Sequence, residues 1–164
     1  MRQLIQGFTF LIIILFAACQ SEPGITSKDE ASTEMLSKNL GIRGTWKLVS
    51  GTLIEKNDTT ITDYTRGKSF IKIINDTHFA FLLHDLKQGK DSSAVYSSGG
   101  GRYTLSDSTY TEHLEYCSDR NWEGHDFPFN ITIRNDTLIQ HGVEKIEASG
   151  IDRLNIERYV RIDK

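Results

Sequence analysis

Residues 44–50 read GTWKLVS, and this stretch begins a β-rich domain. The preceding segment, 20–40, is polar with few large apolar residues, which predicts a flexible tether. After it come short runs rich in Thr, Ile, Val, Tyr and Phe, separated by tripeptides such as Asn57-Asp58-Thr59 and Asn135-Asp136-Thr137. Asn and Asp tolerate left-handed backbone dihedrals, so these tripeptides predict hairpin tips. We therefore expect residues 41–164 to form one all-β domain.

The short runs predict strands joined by turns into an antiparallel meander of eight to ten strands. A meander without long helices closes most readily into a barrel, and a two-sheet sandwich is the alternative. Gly99-Gly100-Gly101 lacks the following helix and lysine of a phosphate loop, so it predicts a bulge or sharp bend in the sheet. The predicted strands span about 44–56, 60–65, 68–74, 77–85, 92–97, 101–106, 109–117, 126–134, 137–142 and 153–162.

The N-terminus combines Arg2, an apolar run from Phe8 to Phe16 and the small pair Ala17-Ala18 before Cys19. The apolar run is too short to span a bilayer of roughly 30 Å. This arrangement resembles the lipobox of bacterial lipoproteins, which implies that residues 1–18 are a signal peptide and that Cys19 is lipidated. Residues 19–40 would then tether the domain to a membrane of the cell envelope, with the outer membrane expected.

An ordinary signal peptide with an incidental cysteine is the alternative. The chain has two cysteines, Cys19 and Cys117. Under that alternative a disulfide between them is possible, but it would tie a flexible leader to the middle of the domain.

Four segments in order resemble the calycin superfamily of lipocalins and fatty-acid-binding proteins, and more closely the lipocalin-like domains of bacterial lipoproteins. The first is the Gly-x-Trp strand that begins at Gly44-Thr45-Trp46. The others are Thr77-His78-Phe79, the GGGRYTL segment 99–105 and the YTEH segment 110–113. The resemblance implies a barrel with a ligand cavity, whose activity is to hold a small hydrophobic or amphipathic molecule.

The resemblance also implies that Gly44 and Trp46 close one end of the barrel, with a basic residue of the last strand, Arg158 or Arg161, over the indole. Fatty-acid-binding proteins hold the carboxylate with an Arg-x-Tyr pair. When that tyrosine is aligned with Tyr159, Glu157 stands at the arginine position. Because this carboxylate would repel a fatty-acid head group, we do not expect fatty-acid binding.

Strand alternation indicates which residues share a face. Apolar neighbours favour an interior that includes Glu112, Gln140 and Arg158, and they suggest an ion pair between Glu112 and Arg158. Tyr103, Tyr110 and Tyr116 would add aromatic walls, so these six residues are the candidate ligand-binding set. In the opposite register the interior would contain His113, Glu115, His141, Glu157 and Tyr159, giving a wet, acidic cavity that would suit a cationic ligand or a metal.

Composition and motifs narrow the function classes. The formal net charge of −3 and the lack of a basic patch argue against nucleic acid as a partner. Five histidines occur without a metal-binding motif, so we expect neither a metal nor a cofactor. We name no catalytic residue, although a calycin-type isomerase and a non-catalytic interaction module with a filled barrel remain alternatives. We expect a monomer.

Overall fold

The computed structural model of the chain describes residues 41–162. The predicted signal peptide, Cys19 and the tether lie outside the described residues. Two short 3₁₀ turns, Arg120–Trp122 and Glu147–Ser149, interrupt a fold otherwise made of strands. The strands are β1 Gly44–Glu55, β2 Asp58–Asp63, β3 Lys68–Ile74, β4 His78–Asp85, β5 Tyr96–Ser106, β6 Thr109–Cys117, β7 His125–Arg134, β8 Thr137–Ile146 and β9 Ile151–Arg161.

The sheet closes into an eight-stranded antiparallel barrel with one extra strand, which confirms the predicted meander barrel. Strand β1 and strands β3 to β9 pair in order, and β9 pairs back with β1. Strand β2 pairs only with the second half of β1, along Ser50 to Glu55, while the first half of β1 pairs with β3. Closure leaves the barrel strands without free edges.

Gly99, Gly100 and Gly101 lie inside a single strand, β5, whereas the sequence had predicted two separate strands at 92–97 and 101–106. A Cβ atom would fall 2.4 Å from the Phe79 carbonyl oxygen at Gly100 and 2.0 Å from the His113 carbonyl oxygen at Gly101. The β5–β6 register shifts between these two glycines, which is the predicted bulge. Only glycine permits so close a passage of the neighbouring strands.

Trp46 closes the end of the barrel at the start of β1. It is fully buried, and its Nε1 donates a hydrogen bond to the Ile42 carbonyl oxygen at 2.7 Å. The guanidinium of Arg161 lies 4.0 Å from the indole centroid and also donates to the carbonyl oxygens of Arg43 and Gly41. The basic residue over the indole is therefore Arg161. Gly44 precedes the tryptophan with φ 136°, a backbone angle that favours glycine.

Candidate functional site

A cavity of about 340 Å³ lies inside the barrel, on the side away from Trp46. All nine strands contribute to its lining, including the second half of β1 and the first part of β9. The apolar part of the lining is mostly aromatic and aliphatic, with Leu53, Phe70, Phe81, Leu114, Phe127 and Phe129. The barrel interior is therefore only partly filled by its own side chains.

Aromatic rings form one continuous wall of this cavity. Phe70 stacks on Phe81 with ring centroids 5.7 Å apart, and the edge of Tyr64 meets Phe70 at 5.8 Å. On another side Trp122, from the 3₁₀ turn between β6 and β7, packs against Phe127 at 5.5 Å. Such rings present large, rigid apolar surfaces to a ligand.

A buried lysine organises the polar floor of the cavity. Lys72 is 2% exposed, and its Nζ donates to Glu112 Oε1 at 2.6 Å and to Gln140 Oε1 at 3.0 Å. Its ammonium group also lies 5.2 Å from the centroid of the Tyr159 ring. A buried charge is tolerated when it is paired and hydrogen-bonded, and Lys72 meets both conditions.

Glu157 is a second carboxylate beside the same lysine. Its Oε2 accepts a hydrogen bond from the Tyr159 hydroxyl at 2.7 Å and lies 3.9 Å from Lys72 Nζ. Glu112 and Glu157 thus share one cation. Within residues 41–162 no hydrogen bond reaches the other oxygen of Glu157, and the residue lines the cavity.

Burial shifts the pKa values of the carboxyl and phenol groups at the polar floor of the cavity. Burial raises the pKa of Glu112, while the Lys72 ammonium group partly opposes that rise. Burial, with the neighbouring carboxylate of Glu157, raises the pKa of Tyr159 well above its ordinary value. For Tyr110 the causes are burial and the nearby Glu112, and its pKa is likewise raised well above the ordinary value. Both phenols therefore stay protonated at neutral pH and act as neutral polar groups.

A second polar group stands nearer the open end. Arg153 Nε donates to Glu144 Oε2 at 2.7 Å, and Asn155 Nδ2 donates to Glu144 Oε1 at 2.8 Å. The Arg153 guanidinium lies 5.0 Å from the centroid of the Trp122 ring. Burial raises the pKa of Glu144, and Arg153 opposes that rise. Both carboxylate oxygens of Glu144 therefore already have partners.

The structure brings only part of the predicted set together. Glu112 and Gln140 line the cavity, whereas Tyr110 is fully buried in the core and Tyr103 packs half-buried beside it, 5.2 Å between ring centroids. Tyr116 was predicted to face inward, which is wrong: it is 69% exposed. The bulge at Gly100 and Gly101 shifts the alternation of β6, so Cys117 reaches the cavity instead.

The predicted interior face of the last strand is also wrong. Arg158 is exposed, and the interior face carries Asn155, Glu157 and Tyr159. The ion pair between Glu112 and Arg158 therefore does not exist, and Lys72 is the partner of Glu112. Both faces of β9 mix polar and apolar residues, so hydrophobicity did not distinguish them. In β9 the residues that face inward, Glu157 and Tyr159, are those of the alternative strand orientation. In β6 the inward residue Glu112 is the one that the favoured orientation predicted.

Sequence reasoning missed Lys72, Glu144 and Arg153. A usable signal existed for Lys72, because it stands between Phe70 and Ile74 on one strand face, and both of those residues point inward. A lysine flanked at i−2 and i+2 by large apolar residues indicates a buried charge. No comparable pattern marks Glu144 or Arg153.

The fold and cavity define a class of protein: a closed eight-stranded meander barrel with an internal cavity, consistent with a calycin-like fold. No family model matches the chain, and no curated protein matches it either. Among residues 41–162 no group of three or more His, Cys, Asp and Glu side chains is arranged to hold a metal ion. The same residues contain no helix that is long and apolar enough to cross a bilayer.

Proposed function

We propose that the protein is a lipid-anchored, lipocalin-like binding protein that holds a small amphipathic molecule in its barrel. The observation that carries this proposal is the cavity of about 340 Å³, which is within the usual size range of small-molecule sites. Its aromatic wall suits an apolar body, and its polar floor suits a single polar group. A structural module with a filled barrel would leave no such space.

The proposed site of action is the bacterial cell envelope, with Cys19 as the lipid attachment point. Two or more acyl chains hold a protein on a membrane stably, at about 0.8 kcal/mol per buried CH₂ group. The barrel would then take its ligand from, or deliver it to, the space beside that membrane.

Native mass spectrometry of the protein purified from its own host tests the binding proposal. We expect a co-purifying mass of a few hundred daltons. Leu53→Trp, which fills the cavity, should abolish that mass, and Leu82→Trp on the outer face of β4 should leave it unchanged. Equal ligand retention by both variants would refute binding inside the barrel.

The position of Glu112 favours a second candidate function, which is enzymatic proton transfer of the kind that isomerases perform. This carboxyl group lines the cavity beside the Tyr110 hydroxyl, and burial raises its pKa, as a general acid or base requires. Deuterium uptake by an enolisable ketone such as 2-octanone, followed by NMR in D₂O, tests it. The wild-type protein should accelerate exchange and Glu112→Gln should not; a wild-type rate equal to that of buffer removes this candidate.

A further inference from the structure

The cavity has more acidic than basic groups, and both of its basic groups are already engaged. Its charged lining consists of two cations, Lys72 and Arg153, and four carboxylates, of which the mouth residue Asp119 is exposed. Lys72 is bound to Glu112 and Gln140, and Arg153 is bound to Glu144. An anionic ligand would therefore meet surplus negative charge and no unpaired cation among the described residues that line the cavity.

The surplus carboxylate is Glu157. Its Oε2 accepts from the Tyr159 hydroxyl at 2.7 Å and lies 3.9 Å from Lys72 Nζ, its only cation among the described residues, and its side chain is 15% exposed. A carboxylate removed from water is unfavourable unless a cation or several donors satisfy it. Among the described residues no hydrogen bond reaches the other oxygen, Glu157 Oε1. A ligand that brings a cation to Oε1 would therefore give this carboxylate a closer cation than Lys72.

An aromatic surface stands beside this carboxylate. Glu157 pairs across the sheet with Gly51, and a Cβ atom at Gly51 would lie 3.2 Å from the Tyr64 ring. The absent side chain lets that ring lie close to the strand, where Phe70 and Phe81 continue the wall. A carboxylate next to aromatic faces is the arrangement that binds substituted ammonium groups, because the ring faces carry partial negative charge.

A second observation on the polar floor is a buried amide donor without a partner among the described residues. Gln140 is 1% exposed, lines the cavity and is the direct cross-strand neighbour of Glu157. Its Oε1 accepts from Lys72, while its Nε2 is buried without a hydrogen-bond partner among the described residues. Buried polar groups are nearly always satisfied, so this amide donor calls for a hydrogen-bond acceptor, which an ammonium group cannot be and which a water molecule or a second polar atom of the ligand would supply.

From this geometry we propose that the ligand is an amphipathic amine, whose protonated nitrogen binds Glu157 and whose apolar body lies against Tyr64, Phe70 and Phe81. This inference rests on the proposed binding function and specifies its ligand class. The buried ion pair of Lys72 and Glu112 forms the floor beneath the ligand nitrogen. The counter-ion of that nitrogen is Glu157, because Glu112 is already paired with Lys72.

A matched series of octylamine, octanol and octanoate tests the proposal by isothermal titration calorimetry, since the three differ only in the head group. We expect octylamine to bind the wild-type protein tightest and octanoate weakest. Glu157→Gln should weaken octylamine roughly tenfold or more and leave octanol within about twofold, because it removes one partner of a desolvated charge pair. Glu115→Gln, on the outer face of β6, is the matched control and should change neither.

Because Lys68 Nζ already lies 5.3 Å from the Tyr64 ring centroid, Phe70→Leu provides the independent variant if Glu157→Gln folds poorly. It should weaken octylamine more than octanol, because it removes the aromatic face and keeps apolar bulk. Equal binding of octylamine and octanol, or tightest binding of octanoate, overturns the amine inference while the binding function stands. If none of the three compounds binds, the proposed function itself fails and the amine inference fails with it.

Discussion

Replacing Lys72 with methionine isolates the most consequential contact of the barrel interior. The change keeps the length of the side chain but removes its charge, leaving Glu112 without its counter-ion and Gln140 Oε1 without its donor. Lys72 and Glu112 are 2% and 7% exposed, so solvent screens the pair very little. Breaking a buried pair from one side typically costs 3–5 kcal/mol, and we expect about that loss in the free energy of unfolding at pH 7.

The loss should depend on pH in a definite direction. The pKa of Glu112 is already raised above 4.5 in the folded protein, and without Lys72, which lowers it, it would rise further. A carboxyl group whose folded pKa is raised is protonated in both states below its unfolded pKa. Its unfavourable contribution builds up as the pH rises from the unfolded pKa to the folded pKa, and it is fully present above the folded pKa. The penalty of Lys72→Met should therefore be largest near neutral pH and shrink towards about pH 4.

Urea unfolding followed by tryptophan fluorescence at pH 7 and at about pH 4 measures both effects. Arg102→Met is the matched control, because it breaks an exposed pair with Glu115 and should cost about 0–1 kcal/mol. The double variant Lys72→Met, Glu112→Leu should recover part of the lost stability, since Glu112 is then no longer an unpaired buried charge, while Glu157 still lacks the Lys72 cation. A penalty below about 1 kcal/mol at pH 7, or an equal one at both pH values, would refute a desolvated pair.

Three further outcomes follow from the fold and the leader. Trp46→Ala should lower the free energy of unfolding by about 3–5 kcal/mol in urea, because it empties a fully buried site; a loss below about 1 kcal/mol would show that the indole does not close the barrel. Gly101→Ala should disrupt the β5–β6 pairing, since the new Cβ would fall 2.0 Å from the His113 carbonyl oxygen; unchanged amide hydrogen exchange in both strands would contradict this. Cys19→Ala should move the protein from the membrane fraction to the soluble fraction of its host, and unchanged fractionation would contradict lipid anchoring.

The barrel was predictable because its signals are local. Turn tripeptides and short β-rich runs mark each hairpin, and the Gly-x-Trp start marks the first strand. The interior faces of β4 and β7 were also predictable, because Phe79 and Phe81, and Phe127 and Phe129, alternate with weaker apolar or polar neighbours. In these strands hydrophobicity differs enough between the two faces to fix the orientation.

The candidate site was less predictable, because its residues lie on faces of mixed polarity. In β9, Ile156 and Val160 point outward, while Glu157 and Tyr159 point inward, which reverses the ordinary hydrophobic order. On this inward face Glu157 accepts from the Tyr159 hydroxyl at 2.7 Å and lies 3.9 Å from Lys72, which is distant in sequence. No pattern within β9 carries that information.

The sequence by itself determined the antiparallel meander, the glycine bulge and the tryptophan at the start of the barrel, since each depends on neighbouring residues. Only the tertiary structure decided the cavity. The β6 bulge turned Tyr116 outward, barrel closure set Arg161 over Trp46, and the pairing of β8 with β9 placed Gln140 beside Glu157. Electrostatic partners in a barrel meet across strands far apart in the chain, so burial of these charges depends on the closed sheet and not on local sequence.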